Sequence, residues 1–197
     1  DGMDGVKTIA YELVDSLGEI DEVFVPVGGG GLLTAIFRGF SDFLKAGKIR
    51  QLPRIHAVQP EGCATVTEPL HQGELKAVAV QCTSMISGLQ VPSLIDAQDA
   101  LEAVQTTQGT GQTLSDSAIY TAQRDLVQQG IYCEPAGATA YSGYLQALER
   151  GVVSTSERSV CVVTGHGFKD LESVERIGSS SQIEEIDLKD LLSADGQ

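Results

Sequence analysis

Four consecutive glycines, Gly28 to Gly31, follow the apolar run Val23 to Val27 and precede Leu32. With no Cβ in the way, backbone of this kind can wrap closely around an anion, its successive amide N–H groups turned inward. A helix that starts directly after the turn adds the positive end of its dipole. Such a grip needs no lysine. A tight strand-to-helix turn is satisfied by one or two glycines, so four in a row point to a phosphate cradle. Thr164-Gly165-His166-Gly167 is a second glycine-rich turn, again directly after an apolar run, Val160 to Val163. Two common phosphate loops are excluded. A P-loop needs Gly-Lys-Ser/Thr after its spaced glycines, and Leu32-Leu33-Thr34 stands there instead. The dinucleotide fingerprint puts Leu33 in its third glycine slot and finds no acid at the end of the next strand, where Gln59 and Pro60 precede Glu61.

Both turns need strands to carry them. Val6, Ile9, Ala10, Leu13 and Leu17 recur at helical spacing, and Gly18 ends that helix. The run 23–27 reads as a buried strand, 32–46 as a helix, and 55–59 as a strand ended by Pro60. A helix is expected over 61–70, an irregular stretch over 72–91, a helix over 93–104 and a short strand over 109–114. Ser115 is placed to cap a helix reaching about 129. Glu134-Pro135 leads into a helix ending near Arg150, and 160–163 reads as a buried strand. Strands that alternate with helices of 10 to 16 residues predict an α/β protein: a parallel sheet with helices on both faces. In such sheets ligands sit at the carboxyl ends of strands, so the two glycine-rich turns are expected to face one pocket. From 178 to 197 the chain is polar and Ser-rich and reads as a flexible tail after a domain over 1–177.

Composition narrows the partners. The formal net charge is −14, which argues against nucleic acid and anionic membrane surfaces, since phosphate backbones are bound by Lys and Arg. No run approaches the roughly 18 apolar residues of a membrane helix. Cys63, Cys82, Cys133 and Cys161 form no C-x-x-C pair, and no basic-then-apolar signal segment opens the sequence; reduced thiols in the cytoplasm are expected. His56, His71 and His166 fall at no metal-ligand spacing, so no metal is expected. The first residue is Asp1 rather than Met, which suggests a piece of a longer chain.

Four stretches together carry a resemblance. Val27 to Leu32 looks like the phosphate loop of pyridoxal 5′-phosphate enzymes of fold type II, the tryptophan synthase β fold. Lys7-Thr8-Ile9-Ala10-Tyr11-Glu12 resembles the helix before that strand in threonine synthases. Gly130 to Ala138 resembles their G-I-x-C-E-P-A-x-A segment, and Val163 to Asp170 is similar to their T-G-H-G-x-K-D motif. The resemblance implies the larger domain of that fold, with pyridoxal 5′-phosphate as cofactor and a small amino acid as substrate. It implies that the amides of Gly28, Gly29, Gly30, Gly31 and Leu32 hold the cofactor phosphate. By the same resemblance the Thr164 hydroxyl meets the pyridine nitrogen and Glu134 lies beside the pocket; Glu134 could equally serve as first-turn charge for its helix. His166 reads as a hydrogen-bonding loop residue, and Lys169 falls in the end motif rather than at an imine-forming position. That lysine belongs, in the family, to a Ser-x-Lys segment in the first half of the chain. No such segment occurs here, so the resemblance covers the second half only, and the lysine is expected upstream. The whole enzyme is expected to be a homodimer.

The reaction is less sharply marked. Threonine synthases usually carry Gly-Asn-Ala-Gly-Asn in the loop, with the second Asn on the substrate phosphate; Gly29, Gly30 and Leu32 stand at the corresponding places here. The four-glycine form is more typical of threonine and serine dehydratases, whose end motif is a different one. Some of those relatives hold a divalent cation through a Glu where this chain has Gln59. The resemblance therefore implies a threonine synthase-like lyase, with a dehydratase-like ammonia-lyase or a non-catalytic homologue as alternatives.

Overall fold

The computed structural model describes residues 2–178. Among them, β1 (Glu22–Pro26), β2 (Arg54–Pro60), β3 (Gly111–Leu114) and β4 (Ser159–Cys161) form one sheet in the order β3-β2-β1-β4, every pair parallel. Val23 stands beside Ile55 and Val25 beside Ala57. Side chains alternate across a strand, and here both faces are covered. Val23, Val25, Val27, Ile55 and Ala57 enter a core with Ala10, Leu33, Ile36, Phe40 and Leu101, from α2 (Thr8–Leu17), α3 (Gly31–Lys45) and α5 (Ala97–Thr106). Phe24 and Val58 face the other way, onto Ile119, Ala136, Ala140 and Ala147 from α6 (Asp116–Gln128) and α7 (Pro135–Glu149). With β1 covered on both faces, 23–27 is apolar on both and shows no polar alternation. No described helix is long and apolar enough to cross a membrane.

Small residues let α7 lie close on the sheet. A Cβ on Gly143 would come within 2.6 Å of a Val58 methyl carbon. On the opposite face Gly39 admits the Lys7 carbonyl, 2.6 Å from where its Cβ would be. Nearby, the Lys7 ammonium (3.1 Å) and the Tyr11 hydroxyl (3.0 Å) both donate to Asp42, tying α2 to α3 and holding the Asp42 carboxyl below its ordinary pKa. The Lys7–Glu12 stretch thus contains two residues that clasp α2 to α3. Under the sheet the buried His56 accepts the Thr110 N–H at Nδ1 (3.1 Å). Its Nε2 therefore carries the proton and donates to buried Glu22 (2.6 Å), which also pairs with Arg54.

Several boundaries differ from the sequence expectation, each for a local reason. The first helix is split at Lys7 into α1 (Gly2–Val6) and α2, and Gly18 ends α2 at φ 74°, its N–H on the Val14 carbonyl. The helix expected over 61–70 is a 3-10 turn, Glu61–Cys63, followed by α4 (Thr67–His71). Buried Gln59 accepts the N–H groups of Val66 (2.8 Å) and Thr67 (3.0 Å), which pins the chain and delays the helix. The helix expected from residue 93 begins at Ala97, because the Asp96 N–H is held by the Gly29 carbonyl at 2.8 Å. Ser115 caps α6 as its type suggests, accepting the Ala118 N–H at 3.3 Å. The strand expected to be buried at 160–163 is half-buried, because β4 is the last strand of the described sheet and pairs with β1 alone. Beyond Gly178, the tail expectation lies outside the described residues.

Gly143→Val forces a branched side chain into Val58. It should lower stability by about 1–3 kcal/mol or more, the range for overpacking a filled core. Urea denaturation followed by circular dichroism checks this; an unchanged midpoint would show that α7 does not sit so close.

Candidate functional site

Beyond the carboxyl ends of β1 and β4 lies a cleft of about 280 Å³. Pro26, the four glycines and Leu32 form one side of its lining; Gly88, Leu89, Glu134, Ala136, Thr164 and Lys169 complete it. The two glycine-rich turns expected to share a pocket are thus brought together. β1 and β4 are adjacent and parallel, so the turns that leave them emerge at the same edge of the sheet.

The loop owes its shape to the chain behind it. Gly30 has φ 99°, a conformation that L side chains rarely adopt, and a Cβ there would stand 2.5 Å from the Asp96 carbonyl oxygen. Gly28 abuts the Gly88 carbonyl and Val91, and Gly29 abuts Ile95. Segment 88–96 therefore backs the loop, and the glycines serve this packing as well as the cleft. Gly30 is the N-cap of α3 and offers no side chain, so the first turn of the helix is uncapped. Among the described residues, no acceptor takes the amide N–H groups of Gly28 through Leu33. Helix first turns have such orphan donors, and here they stand at the cleft with the positive end of the helix dipole. A bound phosphate would satisfy them.

Thr164 is partly exposed on the cleft, and its hydroxyl has no protein partner among the described residues. It is free for a ligand rather than spent on a backbone group. Glu134 precedes α7 as its N-cap, yet its carboxylate makes no capping hydrogen bond. It is 9% exposed and leans over Gly165, whose missing side chain makes room for it. Its N–H donates to the Gly165 carbonyl at 3.0 Å, which joins the start of α7 to the second glycine turn. The Lys169 ammonium reaches the carboxylate at 3.3 Å. The one acid and the one base of the lining thus face each other, and the pull on an anion is left to the amides. Next to Glu134, burial pushes the Cys133 thiol up from its ordinary pKa, so it stays protonated.

The sequence did not single out Gly88, Leu89 or Ala136, and it set Lys169 aside. Gly88, with φ 86°, sits in the stretch that read as irregular, where a glycine gives little signal. Lys169 arrives through the 3-10 turn Gly167–Lys169, which no periodicity reveals. His166 does not line the cleft: it accepts the Phe168 N–H at 3.4 Å and stacks on the Phe168 ring, a loop role. Gln59, at the position of a metal-binding Glu in some dehydratases, spends its side chain on Val27, Thr65, Val66 and Thr67. A second cleft of about 380 Å³ includes Asp21, Glu22, Arg54 and Glu157, at the amino ends of the strands. It has no glycine loop and an acidic lining.

Known proteins resemble this chain in sequence and in fold. The family profile described as pyridoxal-phosphate dependent enzyme matches residues 1–165. The threonine synthase of Methanocaldococcus jannaschii is 33% identical over 178 residues, 88% of this chain and 44% of that protein. The threonine synthase of Mycobacterium bovis is 34% identical over 172 residues, 85% of this chain and 45% of that one. The chain thus spans a little under half the length of these curated relatives. Among solved structures, an L-serine ammonia-lyase from Rhizomucor miehei superposes with a TM-score of 0.72 at 22% identity, over 91% of this chain and 56% of that one. The processed threonine deaminase isoform 2 of Solanum lycopersicum gives 0.70 at 23%, over 92% and 50%. At these identities the structures speak for the fold.

Gly30→Ala places a Cβ against Asp96 and an L-residue at positive φ. It should deform the loop and weaken phosphate binding at least tenfold, consistent with losing one or more charge-assisted hydrogen bonds of about 1.5–3 kcal/mol each. Equilibrium dialysis of pyridoxal phosphate measures it; wild-type affinity in the variant would show that the loop is not the anion site.

Proposed function

Because the chain belongs to the family of pyridoxal-phosphate dependent enzymes, we propose that it is the second half of a lyase, contributing most of the cofactor-holding domain. The observation that carries this reading is the row of unclaimed amides from Gly28 to Leu33 at a cleft that also holds the free Thr164 hydroxyl. The Gly28, Gly29, Gly30, Gly31 and Leu32 backbone would hold the phosphate, Thr164 would meet the pyridine nitrogen, and Glu134 would stand beside the ring. Bound pyridoxal phosphate supplies an electron sink for the pair released when a bond at the substrate Cα breaks. A neutral hydroxyl at the ring nitrogen does not stabilise its protonated form as a carboxylate would, which suits elimination and replacement. The Lys169 ammonium keeps the nearby Glu134 carboxylate occupied at 3.3 Å. The lysine that forms the imine with the cofactor belongs, in this reading, to sequence outside this chain.

The reaction we favour is that of a threonine synthase, which releases phosphate from O-phosphohomoserine and adds water to give threonine. Identities of 33% and 34% to threonine synthases over most of this chain support it. Leu32 supports the second reading, an ammonia-lyase acting on threonine or serine: at this position of the cleft lining it offers no polar side chain for the second phosphate that the synthase substrate carries. In both readings the substrate is a small amino acid. The whole protein is taken to be a cytoplasmic homodimer, with the domain ending near residue 177 and a tail beyond it. The four free cysteines agree with a reducing compartment.

The two reactions differ in product, so assays of inorganic phosphate and of 2-oxo acid on the whole protein separate them. Phosphate and threonine from O-phosphohomoserine are expected; 2-oxobutyrate from threonine, with no phosphate release, would select the ammonia-lyase. Thr164→Ala should lower turnover or cofactor affinity by about fivefold, equivalent to one hydrogen bond of about 1 kcal/mol, while Thr164→Ser stays close to wild type. Full activity and cofactor content in Thr164→Ala would remove the hydroxyl from the site.

A further inference from the structure

Behind the cleft, two cysteines meet. Segment 82–84 returns to the turn at the end of β2, where the Thr83 N–H donates to the Gly62 carbonyl at 2.8 Å. The approach is close enough that a Cβ on Gly62 would strike Thr83 and Ser84. The residues flanking this contact are Cys63 and Cys82, so the Thr83–Gly62 hydrogen bond sets the two cysteines side by side on neighbouring stretches of backbone. Both are free, Cys63 buried and Cys82 partly exposed. The chain leaving Cys82 is held at Ser84 and Met85 by the Asp116 carboxylate (2.8 and 2.6 Å) and then supplies Gly88 and Leu89 to the cleft wall. It continues to Val91, whose side chain backs Gly28.

We propose that Cys63 and Cys82 form a redox site: a dithiol that closes to a disulfide in exchange with a small-molecule disulfide of the glutathione type, and so stiffens the wall of the cleft over residues 82–91. Burial and the neighbouring Cys82 push the Cys63 thiol up to about 12, so the more accessible Cys82 reacts first. Its thiolate attacks one sulfur of oxidised glutathione, the S–S bond breaks, and one glutathione thiolate leaves with the electron pair. Cys63 then gives its proton to water as its sulfur attacks the Cys82 sulfur, and the second glutathione leaves. Two protein thiols are oxidised by two electrons, and one glutathione disulfide is reduced to two thiols. Cys161, also pushed up to about 12 by burial, and Cys133, buried on α7's side of the molecule, stand apart from this pair.

The test is to equilibrate the whole protein in glutathione redox buffers, alkylate the remaining thiols and map peptides under non-reducing conditions. A Cys63–Cys82 cross-link that a thiol reductant reverses is expected, absent in Cys82→Ser and in Cys63→Ser. Amide hydrogen exchange over 82–91 should slow several-fold on oxidation in wild type and stay unchanged in Cys82→Ser, a replacement at a partly exposed position that leaves the fold in place. Glutathione retained on Cys82 with no cross-link, or cross-links to Cys133 or Cys161 instead, would overturn the site. A cross-link with unchanged exchange over 82–91 would overturn its coupling to the cleft. Neither readout needs bound cofactor, so the outcome is independent of the reaction assigned above.

Discussion

The close approach of Asp96 to Gly30 sets the rest of the site. The Asp96 carbonyl occupies the space where a side chain at position 30 would begin, and the Asp96 N–H is held by Gly29 at 2.8 Å. With Gly30 turned to φ 99°, the chain enters α3 without a capping side chain, and six successive amides, Gly28 to Leu33, have no protein acceptor among the described residues. A buried donor left without an acceptor costs about 1–3 kcal/mol, so a row of them persists only where water or a ligand reaches it. The cleft provides that access. An anion there would meet oriented amides and a helix dipole, with no change in backbone conformation needed.

The second half of the site depends on how closely α7 lies on the sheet. Gly143 lets that helix settle against Val58, and its small N-terminal residues include Ala136 on the cleft wall. Glu134 then arrives beside Gly165, and the paired backbone of the two segments fixes the turn that carries Thr164. Both glycine-rich turns leave neighbouring parallel strands at their carboxyl ends, where the sheet's geometry gathers them. The acid and the base of the lining, Glu134 and Lys169, are paired with each other, so the cleft presents polar groups without a free side-chain charge.

Much of this was legible in the sequence because the central elements are locally determined. The apolar run 23–27, the glycines after it and the Ser115 cap each specify their own conformation, and the parallel α/β class follows from their alternation. The ends of elements were less legible where a distant residue decides them. Gln59 delays α4 by taking the amides of Val66 and Thr67 at its start, and Asp96 delays α5 by binding the glycine loop. Neither effect has a sequence period. The wall formed by Gly88 and Leu89 was missed for the same reason: segment 82–91 has no regular element, and tertiary contacts with Gly62 and Asp116 hold it in place. Lys169 enters the cleft on a 3-10 turn, so its position in the motif did not disclose its proximity to Glu134.

The central claim is that the backbone of the first glycine turn holds the phosphate of the cofactor. Amide resonances of the nitrogen-15-labelled protein, followed while pyridoxal phosphate is added, test this most directly. The account predicts that the largest shifts fall on Gly28 through Leu33, with the Thr164 amide following. Shifts confined to the acidic cleft of Asp21, Glu22 and Glu157, or none at the glycine amides at saturating cofactor, would contradict it.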